Sequence, residues 1–324
     1  MTGAPTPDVA IPDIAVLGGG AWGSALAVLA KRAGRAPVLW ARDPARTTLP
    51  DPAIPVTGDL AAALAPIAVL AVPAAAVRAV AADWRAAGGT GVRIVCAKGF
   101  DPASGRLLSD VLAADSPGDP VAVLSGPTFA AEAVRGVPTA ATVASADPEV
   151  VAAVAAALGS PTFRLYTSTD MVGVEAAGAF KNVLAIACGI ADGLAAGDNA
   201  RAALITRGLA ELARLVAALG GRPETVMGLS GLGDVVLTCT SGQSRNYSFG
   251  RRLGEGRSRD EAMAASKGVV EGAATAAGLL ARGRALGLDL PVTEAVDAVL
   301  NRGADLRDTA MSLMARPSRG AETA

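Results

Sequence analysis

The stretch that most restricts the fold is short. Ile14 to Leu17 is an apolar run that stops at Gly18-Gly19-Gly20-Ala21-Trp22-Gly23, and Ser24 to Lys31 continues with helical spacing. Strand, G-x-G-x-x-G and helix in that order place a pyrophosphate over the helix N-terminus. Gly18 then makes the tight turn, Gly20 admits the ligand to the backbone, and Gly23 lets helix and strand pack closely. Standing alone, the pattern also serves as a structural glycine turn. Its weight here comes from the strand before it and the helix after it. The next strand, Pro37 to Trp40, ends at Ala41-Arg42-Asp43. A carboxylate about 20 residues past the last glycine holds the adenosine ribose hydroxyls, whereas an arginine there accepts a 2′-phosphate. Arg42 is nearer the strand end, which inclines the expectation slightly to NADP(H); a solvated Arg–Asp pair is the alternative.

Further strands are expected at Ile67–Val72, Arg93–Ala97 and Val121–Leu124, closed by Pro73, by Lys98-Gly99-Phe100 and by Ser125-Gly126-Pro127-Thr128-Phe129-Ala130. Turns at the carboxyl ends of parallel strands are where open α/β sheets bind ligands. Lys98 is therefore a candidate cation for that crevice, with a solvated loop lysine as the alternative. Two more strands, 139–144 and 162–167, flank a helix over 147–158. From Asp170 onward the pattern is helical only, over 175–196, 201–219, 260–265, 273–286 and 291–300. Alternating strands and helices followed by helices alone imply a Rossmann-type α/β dinucleotide-binding domain and an all-α domain. The expected division is a flexible leader 1–13, the α/β domain 14–168, an all-α substrate and catalytic domain 169–313, and a loose tail 314–324.

Composition narrows the partners. In 324 residues there are 29 Lys and Arg against 30 Asp and Glu, a net charge of −1 that recommends neither nucleic acid nor an anionic membrane. The uncharged stretch Leu60–Val77 is long enough to raise a membrane span, but Pro66 and Pro73 cut it into a helix end, a strand and a helix start. The N-terminus lacks a signal-peptide pattern. Three cysteines without metal-like spacing argue for a reducing compartment, hence a cytoplasmic protein with neither disulfide nor metal site. Histidine is absent, so proton transfer near neutral pH must use lysine, a carboxylate, tyrosine, cysteine or water.

Against that background Glu175–Asn199 stands out as a long, proline-free, alanine-rich segment that reads as a buried helix. It carries one lysine, Lys181, beside Asn182. The neighbours on the lysine's face, Ala177, Gly178, Ala185 and Cys188, are all small. Such a floor leaves space for a ligand; a snorkelling lysine on a closely packed helix is the alternative. Asp234 follows the glycine run Gly228–Gly233, either as a helix N-cap or as a carboxylate that orients Lys181. Thr238 to Asn246 gathers hydroxyls and amides around Arg245, whose planar fork suits phosphate; a solvated loop is the alternative.

Taken together, residues 18–27, Ala-Lys-Gly-Phe at 97–100, Ser-Gly-Pro-Thr-Phe-Ala at 125–130 and Gly-Ala-Phe-Lys-Asn-Val-Leu-Ala at 178–185 form one pattern. It continues through Gly-Asp-Asn at 197–199, Ala-Leu-Ile-Thr-Arg-Gly-Leu-Ala-Glu at 203–211, Gly-Leu-Gly-Asp at 231–234, Thr-Cys-Thr-Ser at 238–241, Ser-Arg-Asn at 244–246 and Val-Val-Glu-Gly at 269–272. From about Ile14 to about Leu300 the chain closely resembles the bacterial NAD(P)-dependent glycerol-3-phosphate dehydrogenases. The resemblance implies reversible reduction of dihydroxyacetone phosphate to sn-glycerol 3-phosphate, a small phosphorylated ketone and alcohol, feeding phospholipid biosynthesis. It implies Lys181 as proton donor and acceptor, with Lys98 and Asp234 beside it. Substrate contacts would come from Lys98, Gly126, Thr128, Asn182, Asp234, Ser244, Arg245 and Asn246. Coenzyme contacts would come from the glycine turn with Ala21 and Trp22, and from Arg42, Lys98, Ala130, Arg245, Val269 and Glu271. NAD(P)H is the expected coenzyme, NADPH slightly favoured, and a homodimer is compatible with the pattern. Three departures fall on the coenzyme side: Ala21 where a hydroxyl residue is usual, a short segment between Asp43 and Asp59, and Ala74 where serine is common. Two other readings stay open here. One is a hydroxyacid or ketopantoate-type dehydrogenase, which would place an asparagine where Ala185 stands; the other is a dinucleotide sensor without chemistry.

Overall fold

The computed structural model describes residues 12–266 and 268–316. Most of the expected leader and tail lies outside the described residues. Eight strands form one sheet: β1 (Ile14–Leu17), β2 (Pro37–Trp40), β3 (Val56–Thr57), β4 (Ile67–Leu70), β5 (Val92–Val95), β6 (Val121–Ser125), β7 (Thr139–Ala144) and β8 (Phe163–Ser168). Their order is β3-β2-β1-β4-β5-β6-β7-β8. Every neighbouring pair is parallel except β6 with β7. Most of the strands are near-continuous apolar runs because helices cover both faces of the sheet. The covering helices are α1 (Ala21–Arg32), α2 (Ala74–Ala86), α3 (Leu108–Asp115), α4 (Ala130–Val134) and α5 (Pro148–Leu158). In sequence order the sheet grows outward from β1 to β2 and β3, then resumes on the other side of β1 with β4. The carboxyl ends of β1 and β4 therefore flank a crevice at that switch point.

After Ser168 the described chain is helical: α6 (Met171–Gly193), α7 (Gly197–Ala218), α8 (Asp234–Cys239), α9 (Arg245–Gly254), α10 (Arg259–Ala264), α11 (Glu271–Ala285), α12 (Pro291–Asn301) and α13 (Leu306–Met314). The elements not placed from sequence are the two-residue β3 and the helices α3, α4, α9 and α13. The last runs to Met314, into the segment expected to be a loose tail. The uncharged 60–77 stretch resolves into a 3-10 turn, β4 and the start of α2. Among the described residues α6 is the one helix long and apolar enough to cross a bilayer, and its most apolar stretch is buried inside the fold.

Helix α6 organises this half. Asp170 starts it by accepting from the Gly173 N–H at 2.9 Å, and every residue from Gly173 to Ala191 is buried. Glycine inside a helix costs roughly 0.5–1 kcal/mol relative to alanine, so the glycines of α6 need a tertiary reason. They have one: α6 and α9 cross at backbone distance. A Cβ at Gly189 would lie 2.1 Å from the Tyr247 carbonyl oxygen, and one at Gly250 would lie 2.2 Å from that of Ile186. One turn on, Gly193 and Gly254 repeat the arrangement against Arg251 and Ile190. Helix α11 approaches in the same manner, Gly272 facing the Asn182 carbonyl.

Gly250→Ala should therefore destabilise the fold by about 1–3 kcal/mol, because backbone atoms cannot step aside. Gly278→Ala, in α11 with open space around its Cα, should instead stabilise by about 0.5–1 kcal/mol. Urea denaturation midpoints at constant m-value distinguish the two.

Candidate active site

The carboxyl ends of β1, β4, β5 and β6 face α6, α8, α9 and α11 across a cleft of about 630 Å³. At its floor lie two lysines and one carboxylate. Lys181 of α6 donates from Nζ to Asp234 Oδ1 at 2.6 Å and to Thr238 Oγ1 at 2.8 Å. Lys98, in the turn after β5, donates to the other oxygen, Asp234 Oδ2, at 2.5 Å and to the Gly126 carbonyl at 3.4 Å. Thr238 completes the ring by donating to Asp234 Oδ1 at 3.1 Å. Asp234 is 1% exposed, while the Lys181 and Lys98 side chains keep 10% and 18% of their surface open.

This geometry decides between the two roles open to Asp234 from sequence. The residue begins α8, but its side chain makes no capping bond and is fully taken by the lysines and Thr238. It is delivered there by a π-helical turn over Leu229–Gly233, tight enough that a Cβ at Gly231 would lie 2.0 Å from the Val226 carbonyl. Burial pushes the Asp234 carboxyl upward, but Lys181 and Lys98 outweigh it and hold it below the usual range. Burial lowers the Lys181 ammonium to about 8, opposed by Asp234 and assisted by Lys98.

The small floor beside Lys181 has a specific occupant. A Cβ at Gly178 would lie 2.9 Å from Ser125 Oγ and 3.5 Å from Lys98 Cγ. The space at Gly178 thus admits the Ser125 hydroxyl and, behind it, the stem of the second lysine. Around the pair runs an amide chain. Asn182 Nδ2 donates to the Lys98 carbonyl at 3.4 Å, Asn246 Nδ2 donates to Asn182 Oδ1 at 2.9 Å, and Gly272 N–H donates to Asn246 Oδ1 at 3.0 Å. The two asparagines are thereby fixed to the frame. Ser244, expected at the substrate, accepts from the Tyr247 N–H at 3.2 Å and caps α9, which places Arg245 in its first turn, exposed at the cleft. The sequence alternative of a solvated loop there gives way to a capped helix.

The cleft also takes in Gly20, Ala21, Trp22, Thr128, Ala130, Val269 and Glu271. Burial raises the Glu271 carboxyl, with Arg245 opposing. Gly18, Gly23 and Gly126 lie behind the lining: Gly18 has φ +135°, and a Cβ at Gly23 would lie 1.9 Å from the Gly18 carbonyl oxygen. Gly20 caps α1 with no side-chain bond, and a Cβ there would meet nothing within 4 Å. The first N–H groups of α1 thus open on the cleft, a fit for a dinucleotide pyrophosphate. Arg42 stands apart, exposed past the end of β2. Thr238, read in sequence only as one of the hydroxyls around Arg245, was not expected at Lys181, although its position four residues after Asp234 on a helix puts both on one face. Among the described residues no cluster of His, Cys, Asp and Glu could hold a metal ion.

Comparison with known proteins covers most of the chain. Residues 13–151 match the model of the NAD-dependent glycerol-3-phosphate dehydrogenase N-terminus and residues 170–311 that of the C-terminus. The chain is similar to glycerol-3-phosphate dehydrogenase [NAD(P)+] of Rhodospirillum rubrum, 48% identical and covering 95% of this chain and 94% of that one. The corresponding protein of Parvibaculum lavamentivorans is 48% identical over 94% of this chain and 97% of its own. The crystal structure of glycerol-3-phosphate dehydrogenase from Coxiella burnetii superposes with a TM-score of 0.90 at 37% identity, covering 94% of this chain and 99% of that one.

Removing the shared carboxylate should be costly. Asp234→Asn leaves two buried ammoniums facing each other and should lower stability by about 3–5 kcal/mol at neutral pH. The loss should narrow as pH rises toward the ordinary lysine range, where the unfolded chain also releases those protons. Urea denaturation across that range reads both.

Proposed function

The chain belongs to the NAD-dependent glycerol-3-phosphate dehydrogenase family, and from that premise we propose that the Lys181–Asp234–Lys98 cluster is its proton-transfer machinery. The enzyme interconverts dihydroxyacetone phosphate and sn-glycerol 3-phosphate with NAD(P)H. The family match over both halves sets aside the hydroxyacid-type and sensor alternatives. Residues 14–168 form the dinucleotide-binding domain and 169–313 the catalytic one. The usual context of this reaction, supply of a glycerol backbone for phospholipids in the cytoplasm, is the setting we assign; three free, buried cysteines accord with it.

The single observation that carries the mechanism is the pair of hydrogen bonds from Lys181 Nζ to Asp234 and Thr238. They use two of the three ammonium protons and leave the third for the cleft. When bound, the coenzyme supplies the hydride for the ketone carbon. Gly20, Ala21 and Trp22 would hold it at the N-terminus of α1, in the turn that Gly18 and Gly23 shape, with Ala130, Val269 and Glu271 further along the cleft and Arg42 toward its adenosine. Lys181 donates its free proton to the oxygen of the reduced carbon and recovers it in the reverse direction. Asp234 keeps the ammonium form available and fixes its direction. Lys98 adds a second positive charge, so the buried cluster is net cationic and suits both the developing alkoxide and a phosphorylated substrate. Arg245, with Asn246 behind it, takes the phosphate through a charged fork. Thr128 and the Gly126 carbonyl close the sheet side.

Lys181→Ala should cut turnover by at least roughly 10²–10⁴-fold while coenzyme binding, followed by NAD(P)H fluorescence, persists. In the wild type, reduction of dihydroxyacetone phosphate needs the protonated amine, so its kcat/KM should fall above about pH 8, and oxidation of glycerol 3-phosphate should fall below it. Lys98→Ala removes a cation that lowers Lys181, so the limb should move to higher pH. Initial rates across pH with NADH and NADPH in parallel test the assignment. Arg245→Ala should raise KM for dihydroxyacetone phosphate by about 10–100-fold, the worth of a charged hydrogen-bond pair, with a smaller change in kcat.

A further inference from the structure

The segment between β5 and α3 leaves the sheet and enters the helical half. Phe100 and Leu107 pair with each other by backbone and are buried in the core built around α6. Between them Asp101 closes a turn by accepting from the Ser104 N–H at 2.9 Å and the Ser104 hydroxyl at 2.6 Å. Lys98 stands at the start of this strap. Its carbonyl is held by Asn182.

The far end of the strap is held by a residue outside the proton-transfer cluster. Glu175, 1% exposed and six residues before Lys181 on α6, accepts the Leu108 N–H at 2.7 Å, the Ser109 N–H at 3.3 Å and the Ser109 hydroxyl at 2.5 Å. These are the first N–H groups of α3, which would otherwise lack partners, since the residue at the cap, Leu107, offers none. A carboxylate of the catalytic helix thus caps a helix of the sheet domain, and the strap carrying Lys98 is pinned to α6 at both ends.

We propose that Glu175 is a positioning residue for Lys98: by capping α3 from α6 it fixes the strap, and so keeps the Lys98 ammonium on Asp234 and in register with Lys181. This rests on the proton-transfer reading above. A neutral comparison exists within the fold. Glu211 of α7 caps α12 in the same manner, accepting from Val292 N–H at 2.6 Å and from Thr293 N–H and hydroxyl at 3.3 Å. Both carboxyls are pushed up to about 7 by burial. The two caps are alike in chemistry and burial, but only Glu175 joins the helix bearing Lys181 to the segment bearing Lys98.

The test is a kinetic comparison of Glu175→Gln, Glu175→Ala, Glu211→Gln and Lys98→Ala, with the double variant of Glu175→Gln and Lys98→Ala. Misplacing a reacting group by about 1 Å can cost about 100-fold. Glu175→Ala should therefore lower kcat/KM for dihydroxyacetone phosphate by roughly 10–100-fold. Glu175→Gln, which keeps an acceptor for the Leu108 N–H, should recover part of that loss. Coenzyme affinity by NAD(P)H fluorescence should stay within about twofold. In the Lys98→Ala background, Glu175→Gln should add no further loss beyond about twofold. Glu211→Gln should lower the thermal midpoint as Glu175→Gln does and leave kcat/KM in place. Full additivity with Lys98→Ala, or an equal kinetic loss from Glu211→Gln, overturns the proposal. Should Glu175→Ala fail to fold, Ser109→Ala removes one of the same bonds and must show the same non-additivity. A wild-type chain that oxidises no NAD(P)H with dihydroxyacetone phosphate would overturn the reaction reading itself. Wild-type turnover with an unaffected Glu175→Gln overturns only this inference.

Discussion

One carboxylate, Asp234, holds two ammoniums that arrive from different parts of the chain. Lys98 comes from the sheet, Lys181 from α6, and Asp234 itself from α8, and their bonds of 2.5 and 2.6 Å lie at the seam of the two halves. Nearly complete burial of Asp234 makes this interaction demanding. A lone buried carboxylate or a lone buried lysine would shed its charge, and a half-assembled set would be worse than none. Three charges with two signs can remain ionised together, and the sum is one excess positive charge under a cleft meant for an anion. In a chain without histidine, this is also how a proton is kept near neutral range: burial and Lys98 lower Lys181, Asp234 restrains the fall, and the balance rests at about 8.

Holding such a cluster needs a frame that does not relax. Backbone contact supplies it. The paired glycines of α6 and α9, and Gly272 of α11 against Asn182, bring helices together with no side chain between them, so the first turn of α9 is carried to the side of Lys181. The amide chain from Gly272 through Asn246 and Asn182 to the Lys98 carbonyl runs through that same contact. Asn182 and Asn246 are therefore members of the frame that also face the cleft. Arg245 is the side chain left exposed beside them.

How much of this was legible in the sequence depends on whether the signal was local. The glycine turn, the strands that follow the apolar runs, and the long helix around Lys181 are local patterns, and the structure has elements at those places. Helix α9 was not legible because Gly250 and Gly254 lower its propensity; the residues that hide it are the ones its packing on α6 requires. β3 is two residues long and offers no periodicity to read. Asp234 stayed ambiguous because a helix cap and a lysine partner both call for aspartate after glycines, and only the positions of Lys98 and Lys181 separate the roles. The small residue at Gly178 is conspicuous in sequence, yet its nearest neighbours are the Ser125 hydroxyl and the Lys98 stem from the sheet half, contacts that no local pattern encodes.

The departures on the coenzyme side follow from the same distinction between backbone and side chain. At the N-terminus of α1 the donors are main-chain N–H groups, and Gly20 leaves them open without any side-chain cap. Ala21 in place of a hydroxyl therefore removes one donor among several and leaves the dipole and the remaining N–H groups in position. The shortened stretch after Asp43 is taken up by a 3-10 turn over Pro44–Arg46 and the brief pairing of β3 on β2. Its Thr47 then folds over Gly19, where a Cβ would lie 2.6 Å from the threonine hydroxyl and 2.7 Å from the Ala41 Cβ, so this chain's own loop explains the glycine at that position. At the floor of the cleft, by contrast, the arrangement depends on individual side chains at fixed distances: Lys98, Lys181, Asp234 and Thr238. On the proposed reading, sequence variation is absorbed where backbone does the binding, which is the side on which the sequence differs from the pattern it resembles.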